Sequence, residues 1–292
     1  MRYETVILGG GLSGAMAKAF FPGALLLERR SESSPLAAPF GATFYAHEFI
    51  PGFAMKPVTV RTFVHECLHG CGPYEYERKV YGDMVVKSSI RDFKPCIVAY
   101  KWEKPVLPAS DLVRYNHVVK SVYPNDHVLC SVQGDTDFTI EYGRLITSIP
   151  LPIFLDLLRL DDFYIDFYID DDSIIKEHRK SRPIYIVTVP RHPNHSTHLN
   201  DLEITYYPCK DLSFYRSAAS VDNIVFELMS PTPSSIALYP GKITSNQYAD
   251  ELVGILRQKN IFCIGRYGLW RKGYLSHQTW HALEELCSSK NS

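Results

Sequence analysis

Gly9, Gly11 and Gly14 follow the apolar run Val6-Ile7-Leu8 in a G-x-G-x-x-G register, where the pattern changes from strand to helix. That spacing suits an anion. Gly9 permits the tight turn and Gly11 lets main chain come into contact with a pyrophosphate. Gly14 lets the helix pack closely on its strand, so that the helix N-terminus faces the anion. A second apolar run, Ala24 to Leu27, ends in Glu28, at the distance of about 20 residues expected of the acid that binds a ribose 2′-OH. An acid here disfavours a 2′-phosphate. Arg29 and Arg30 follow it and are candidates to contact adenine or phosphate instead. Between Gly14 and Glu28 there is room only for a short helix, Ala15 to Phe21, before Pro22-Gly23 breaks it.

The 292 residues suffice for one large or two joined domains, with ample material for a core. Lys and Arg number 31 against 32 Asp and Glu, a formal charge of −1, so a global basic field of the kind that non-specific nucleic-acid binding needs is absent. Seven scattered cysteines, an odd number with no C-x-x-C, point to reduced thiols in a cytoplasmic setting, the host cytoplasm if the chain is viral. No apolar run approaches the roughly 18 residues of a membrane span, and the first apolar stretch reads as a strand and not as a signal peptide.

The elements that must position the motif read as mixed α/β with much antiparallel strand. Tyr115 to Val122 and His127 to Val132 are expected as strands joined at Pro124-Asn125-Asp126, with a third strand at Asp137 to Tyr142. Leu145 to Ile149 reads as a separate parallel-sheet strand, followed by a helix over Ile153 to Leu160. Ile184 to Val189 and Leu202 to Arg216 read as strands of a second sheet. Asn246 to Gln258 reads as a helix, with Leu252, Ile255 and Leu256 apolar, leading into a strand over Ile261 to Ile264. Ser276 is expected to cap a last helix with Trp280, Leu283 and Cys287 on one face.

This order of pieces resembles the amine-oxidase and UDP-galactopyranose-mutase-like branch of the glutathione-reductase-type FAD flavoproteins. The resemblance rests on the glycine motif with Glu28 and on Val119-Lys120-Ser121-Val122, which matches the strand whose backbone meets adenine. It rests also on Tyr142 through Pro150, which matches the strand returning to the cofactor domain. The last matching stretch is Gly265-Arg266 through Trp270-Arg271-Lys272, with Leu275-Ser276-His277-Gln278-Thr279 after it, which looks like the second flavin-binding segment. A helix N-terminus there would stabilise negative charge on a reduced flavin ring. The resemblance implies non-covalent FAD held by Gly9, Gly11, Leu12, Ser13, Gly14, Glu28, Arg29, Val119, Gly265, Arg266, Trp270, His277, Gln278 and Thr279.

It also implies an α/β fold: a Rossmann-type FAD-binding domain, parallel with antiparallel crossover strands, from residues 1–48, 96–155 and 236–292. A mixed-sheet substrate domain would come from 49–95 and 156–235. Tyr206 through Arg216 resembles the family's substrate-domain strands, which makes Arg216, Tyr207 and Tyr215 the catalytic candidates; the alternative is a sheet with an ordinary aromatic side. Lys210, Lys94 and Lys272 are candidates for the family lysine that holds water near the flavin.

The activity implied is oxidation of a C–N bond, with hydrolysis of the imine, on a small-molecule amine or a nucleotide-linked group. Compact viral flavoproteins that trim amino-acid groups attached to thymine in DNA are of this size class, although the net charge does not indicate nucleic acid. The alternatives are a mutase acting on a nucleotide sugar without net oxidation, and a non-catalytic flavin binder. Against the mutase, Phe40 to His47 carries Thr43 where the mutases have a histidine, and 49–95 is short for their nucleotide-sugar domain.

Three further constellations weigh less. His65-Glu66-Cys67-Leu68-His69-Gly70-Cys71 packs four His and Cys ligands into seven residues, but a closed zinc site normally uses two separated pairs. The segment is read as a helix ending at Gly70 with buried thiols, and no metal is expected. His192, His195 and His198 read as a solvated loop. The run Asp161 to Asp172 lacks the glycine and distal Glu of a calcium loop; its aromatics suit a partner surface, for example of a homodimer.

Overall fold

The computed structural model describes residues 1–32, 45–67, 70–87, 90, 93–103, 107, 110–159, 181–191, 201–246 and 248–288. Thr43, His69, the run 161–172 and the three histidines of 192–198 lie outside the described residues. Among those described, no helix is long and apolar enough to cross a membrane. The chain divides into two units, Met1–Leu36 with Pro105–Arg179 and Asn246–Ser292, and Ala37–Lys104 with Lys180–Ser245.

The first unit is built on β1, Arg2–Leu8, whose residues Val6 to Leu8 are fully buried because the strand is paired on both sides. It runs parallel to β2, Leu25–Leu27, and to β9, Thr136–Thr147. The path is β6-β2-β1-β9-β8-β7, with β6 at Val113–Arg114, β7 at Val118–Tyr123 and β8 at Val128–Gln133. The expected strands over 137–142 and 145–149 are one continuous strand, β9. Gly143 allows this, because a Cβ there would stand 3.0 Å from the Glu4 carbonyl oxygen of β1. The first half of β9 pairs antiparallel with β8 and its last residues pair parallel with β15, Ile261–Cys263.

Helix α1, Leu12–Phe20, is as short as the sequence requires. Its buried Lys18 donates to the carbonyls of Pro22 and Ala24 at 2.7 and 2.6 Å, which fastens the tight return into β2. The remaining helices are α3, Leu151–Leu157, α4, Ala249–Gln258, the single turn α5, Gly265–Gly268, and α6, Ser276–Ser288. Phe20 of α1 packs on Trp280 of α6 with ring centroids 4.3 Å apart.

The second unit is an eight-stranded sheet, β14-β10-β13-β12-β11-β4-β5-β3. Its strands are β3, Tyr45–Ala46; β4, Met55–Val64; β5, Cys96–Trp102; β10, Ser181–Pro190; β11, Asp201–Tyr206; β12, Phe214–Ala219; β13, Asn223–Leu228; and β14, Ile236–Ile243. Strands β5 and β14 were expected with the cofactor domain. They belong here because β5 pairs with β4 from Arg61↔Cys96 to Met55↔Trp102, and β14 pairs with β10. Leu202 to Arg216, expected as strand throughout, is two strands separated by a loop. Helix α2, Pro73–Tyr81, lays Tyr76, Val80 and Tyr81 into a core with Val60, Ile204 and Tyr215. No helix ends at Gly70: residues 65–67 and 70–72 are irregular, and α2 starts after them.

A charged triad is buried in this sheet. Glu227 of β13 accepts from Arg216 of β12 at 2.6 Å and from Lys242 of β14 at 2.8 Å. Burial would push the Glu227 carboxyl up, but the two cations outweigh it and hold it down at about 2. A carboxylate depressed in the folded state contributes stability that is present above its ordinary value and is lost as pH falls through the folded one. Glu227→Gln should therefore cost about 3 kcal/mol near neutral pH, as breaking a buried pair does. In denaturant unfolding, its deficit relative to wild type should close as pH falls from 4.5 toward about 2.

Candidate functional site

The glycine turn sits between the ends of β1, β2 and β9. Gly9 has φ +89, a conformation that side chains rarely adopt; its N–H donates to Leu27 O at 2.9 Å, and Ser148, just past β9, donates its hydroxyl to the carbonyls of Leu8 and Gly9 at 3.1 and 3.2 Å. A Cβ on Gly14 would collide with the Gly9 carbonyl oxygen, so the third glycine is what lets α1 lie on the strand end. Gly11 differs. It is extended, at φ −66 and ψ −177, and a Cβ there would meet nothing within 4 Å. It stands at the N-cap of α1, and no side chain caps that helix end. An uncapped N-terminus with open space at its cap residue is a cradle for an anion.

The C-terminal segment reaches this same cradle. Gly265, at φ +73, lies against Ser13 so closely that a Cβ would collide with the Ser13 hydroxyl. Residues 252 apart in the chain are therefore in contact at the opening turn of α1. The connection is made through β15, which places Ile264 N–H on Thr147 O at 2.9 Å, the residue before Ser148. Arg266, next to Gly265, has buried Nε and Nη2 atoms with no hydrogen-bond partner among the described residues. Unmatched buried donors are uncommon, and here they fit an absent acceptor.

Glu28 follows β2 as expected and is 4 % exposed. Its carboxylate accepts from Gly10 N–H at 2.6 Å and from Arg30 three times, through the backbone N–H at 2.8 Å, Nε at 2.9 Å and Nη2 at 3.1 Å. Burial raises its pKa, but the Arg30 contacts and Gly10 outweigh that and hold it below the ordinary carboxylate range. Arg30, not the exposed Arg29, is thus the guanidinium engaged here. All four acceptor positions of the carboxylate are in use, so a ribose hydroxyl would have to displace an Arg30 contact. The half-exposed Arg30 side chain can move.

Val119 lies on β7, beside a bulge at Lys120 where the pairing with β8 slips. Trp270 has φ +52 and is buried. Ser276 is not the cap of α6 but its first residue. Leu275 occupies the cap, and Gln278 closes it by accepting from Leu275 N–H at 2.8 Å, half of a capping box. Thr279 is buried, and His277 stands edge-on to His281, centroids 6.3 Å apart.

The catalytic candidates all lie in the second unit. Tyr215 is 2 % exposed within the core, and Arg216 is bound to Glu227. Tyr207 packs tilted against His65 and edge-on to Phe214, and it pairs with the Ser217 hydroxyl at 3.1 Å. The structure therefore places Tyr215 in the core of the second unit and engages the partly buried Arg216 in an ion pair with Glu227. Ser148 and Lys79, whose ammonium is bound by four carbonyls of 207–214, were not singled out from sequence, and Arg30 was read as an adenine or phosphate contact and not as the partner of Glu28. The signal for Lys79 is its place among the core residues Tyr76, Val80 and Tyr81 of α2.

No family model matches this chain, and no curated protein does. Solved structures do. A reduced UDP-galactopyranose mutase superposes with TM-score 0.65 at 12% identity, over 98% of this chain and 94% of the mutase. The fold is shared. A CLA-producing fatty acid isomerase from P. acnes matches with TM-score 0.56 at 12% identity, over 98% of each chain. A geranylgeranyl bacteriochlorophyll reductase-like protein from Thermoplasma acidophilum matches with TM-score 0.50 at 9% identity, over 99% of this chain and 79% of that one. The α/β class, with two multi-stranded mixed sheets, is the one the residues imply.

Gly14→Ala should lower the stability of the folded chain by about 1–3 kcal/mol, the cost of forcing a methyl group into a packed contact. Gly11→Val should change it by less than about 1 kcal/mol, since a Cβ there meets nothing within 4 Å; urea unfolding midpoints compare the two.

Proposed function

We propose that this chain is an FAD-dependent oxidoreductase that binds its cofactor non-covalently. The observation that carries the reading is the meeting of Gly265 with Ser13 at the uncapped start of α1, which brings the two glycine motifs into one cradle. Gly9 to Gly14 would hold the pyrophosphate and Glu28 the ribose, once an Arg30 contact yields. Arg266 supplies two donors to an acceptor. Flavin, when bound, supplies a two-electron redox centre; the chain's own residues bind and orient it.

The finer assignment is oxidation of a C–N bond in an amine or an amino-acid-derived group, including one carried on a nucleotide or DNA base. It rests on the sequence resemblance. A second reading, a mutase-like reaction on a nucleotide sugar, is favoured by the near full-length likeness to the mutase. No catalytic role is assigned to Tyr215, which is buried in the core of the second unit, or to Arg216, which is bound to Glu227.

The purified chain, reconstituted with FAD, should show the visible absorption of a protein-held oxidised flavin. Bleaching on anaerobic addition of an amine or an N-glycyl nucleoside supports C–N oxidation. Bleaching by dithionite alone, followed by turnover of UDP-galactose, supports the mutase reading. A folded chain that takes up no FAD overturns both. Gly11→Val should weaken FAD binding by roughly tenfold or more while leaving the fold intact, an effect of over about 1.4 kcal/mol confined to the cofactor.

A further inference from the structure

Three thiols of the second unit converge from two distant segments. Cys67 and Cys71 flank the turn at Gly70, which has φ +64, and Cys209 lies on the loop between β11 and β12. Their sulfur atoms all lie within 4.8 Å of one another. Cys209 Sγ stands 3.8 Å from Cys71 Sγ, and Cys71 N–H donates to Cys67 Sγ at 3.1 Å. A disulfide holds its sulfurs about 2.05 Å apart. Thiolates around a tetrahedral ion, at about 2.3 Å from the metal, stand about 3.8 Å from one another. The Cys71–Cys209 separation matches a coordination edge, and the other two sulfur pairs lie within 4.8 Å.

The surroundings suit such an ion. Lys79 of α2 is 4 % exposed and donates to the carbonyls of Tyr207, Cys209, Leu212 and Phe214 at 3.0, 2.6, 2.9 and 2.9 Å, so the loop that carries Cys209 is tied around a buried ammonium. Three thiolates with a divalent cation carry a net charge of −1, which that ammonium offsets. The N–H bond to Cys67 Sγ is the kind of outer contact that orients a metal-bound sulfur.

We propose that Cys67, Cys71 and Cys209 bind one thiophilic divalent cation of the zinc class, beside a cavity of about 440 Å³ lined by Cys71, Cys209, Tyr74, Glu75, Arg78 and Lys210. The spacing Cys67-x-x-x-Cys71 is a metal-ligand spacing, and Cys209 is the distant partner that the sequence did not reveal. Binding replaces three S–H bonds by three metal–sulfur bonds and releases three protons to solvent. One position of the tetrahedron is left for a ligand that is not among the described His, Cys, Asp and Glu side chains. The site is independent of the flavin assignment, which concerns the other unit.

Titration of the reduced full-length chain with Co2+ under argon tests this. A thiolate-to-cobalt charge-transfer band should saturate at one ion per chain and vanish when Zn2+ displaces the cobalt. Cys209→Ser should weaken binding by roughly 100-fold or more, at least the loss that outer-contact partners of a metal produce. Cys96→Ser, on an exposed thiol of β5, should change nothing. Circular dichroism confirms that each variant is folded. Should Cys209→Ser fail to fold, the wild type still decides: Zn2+ should protect three of the seven thiols from a thiol reagent. Absence of the band in folded wild type, a band that Cys209→Ser leaves intact, or thiols that Zn2+ does not protect would overturn the assignment.

Discussion

Helix α1 can lie against the end of β1 only because no atom stands between the Gly14 Cα and the Gly9 carbonyl. From that contact follow the direction of the helix, the exposure of its uncapped N-terminus and the room at Gly11. Gly265 repeats the device on the other side, where a missing side chain lets the C-terminal segment touch Ser13. An anion site built in this way depends on backbone shape and on the positive end of a helix, so it specifies a phosphate group without specifying the rest of the ligand.

Strand β9 is the element that makes the contact between the ends of the chain possible. Its second half, from Glu141 to Thr147, flanks β1, its first half carries the β8 and β7 meander, and its last residues receive β15. The strand therefore aligns three chain segments at one end of the sheet, where Ser148 braces the glycine turn and Thr147 accepts from Ile264. Gly143 serves this continuity by allowing close approach to β1.

The second unit is organised differently, around buried charge. Glu227 of β13 joins the adjacent β12 through Arg216 and, across β10, reaches β14 through Lys242, and Lys79 gathers four carbonyls of the loop between β11 and β12. Polar groups so enclosed are costly unless every partner is present, which ties strand order to a few side chains. The same Lys79 brings Cys209 to Cys67 and Cys71.

Local patterns were legible in the residues themselves. The apolar run into Gly9-x-Gly11-x-x-Gly14, the return to Glu28, the breaker at Pro22-Gly23 and the α/β class depend on neighbours within about 20 residues, and the sequence by itself determined them. Helix and strand boundaries were less so: the merger of two expected strands into β9 depended on how Gly143 meets Glu4, and the capping of α6 by Gln278 displaced Ser276 from that role. Only the tertiary structure decided which partners meet across the chain. Arg30 occupies Glu28, Tyr215 is drawn into the core and Arg216 onto Glu227, β5 and β14 pair in the second unit, and a third sulfur joins the Cys67 and Cys71 pair. The physical reason is that periodicity and spacing report the preferences of one segment, whereas burial, ion pairing and sheet registry are properties of segments brought together from distant positions.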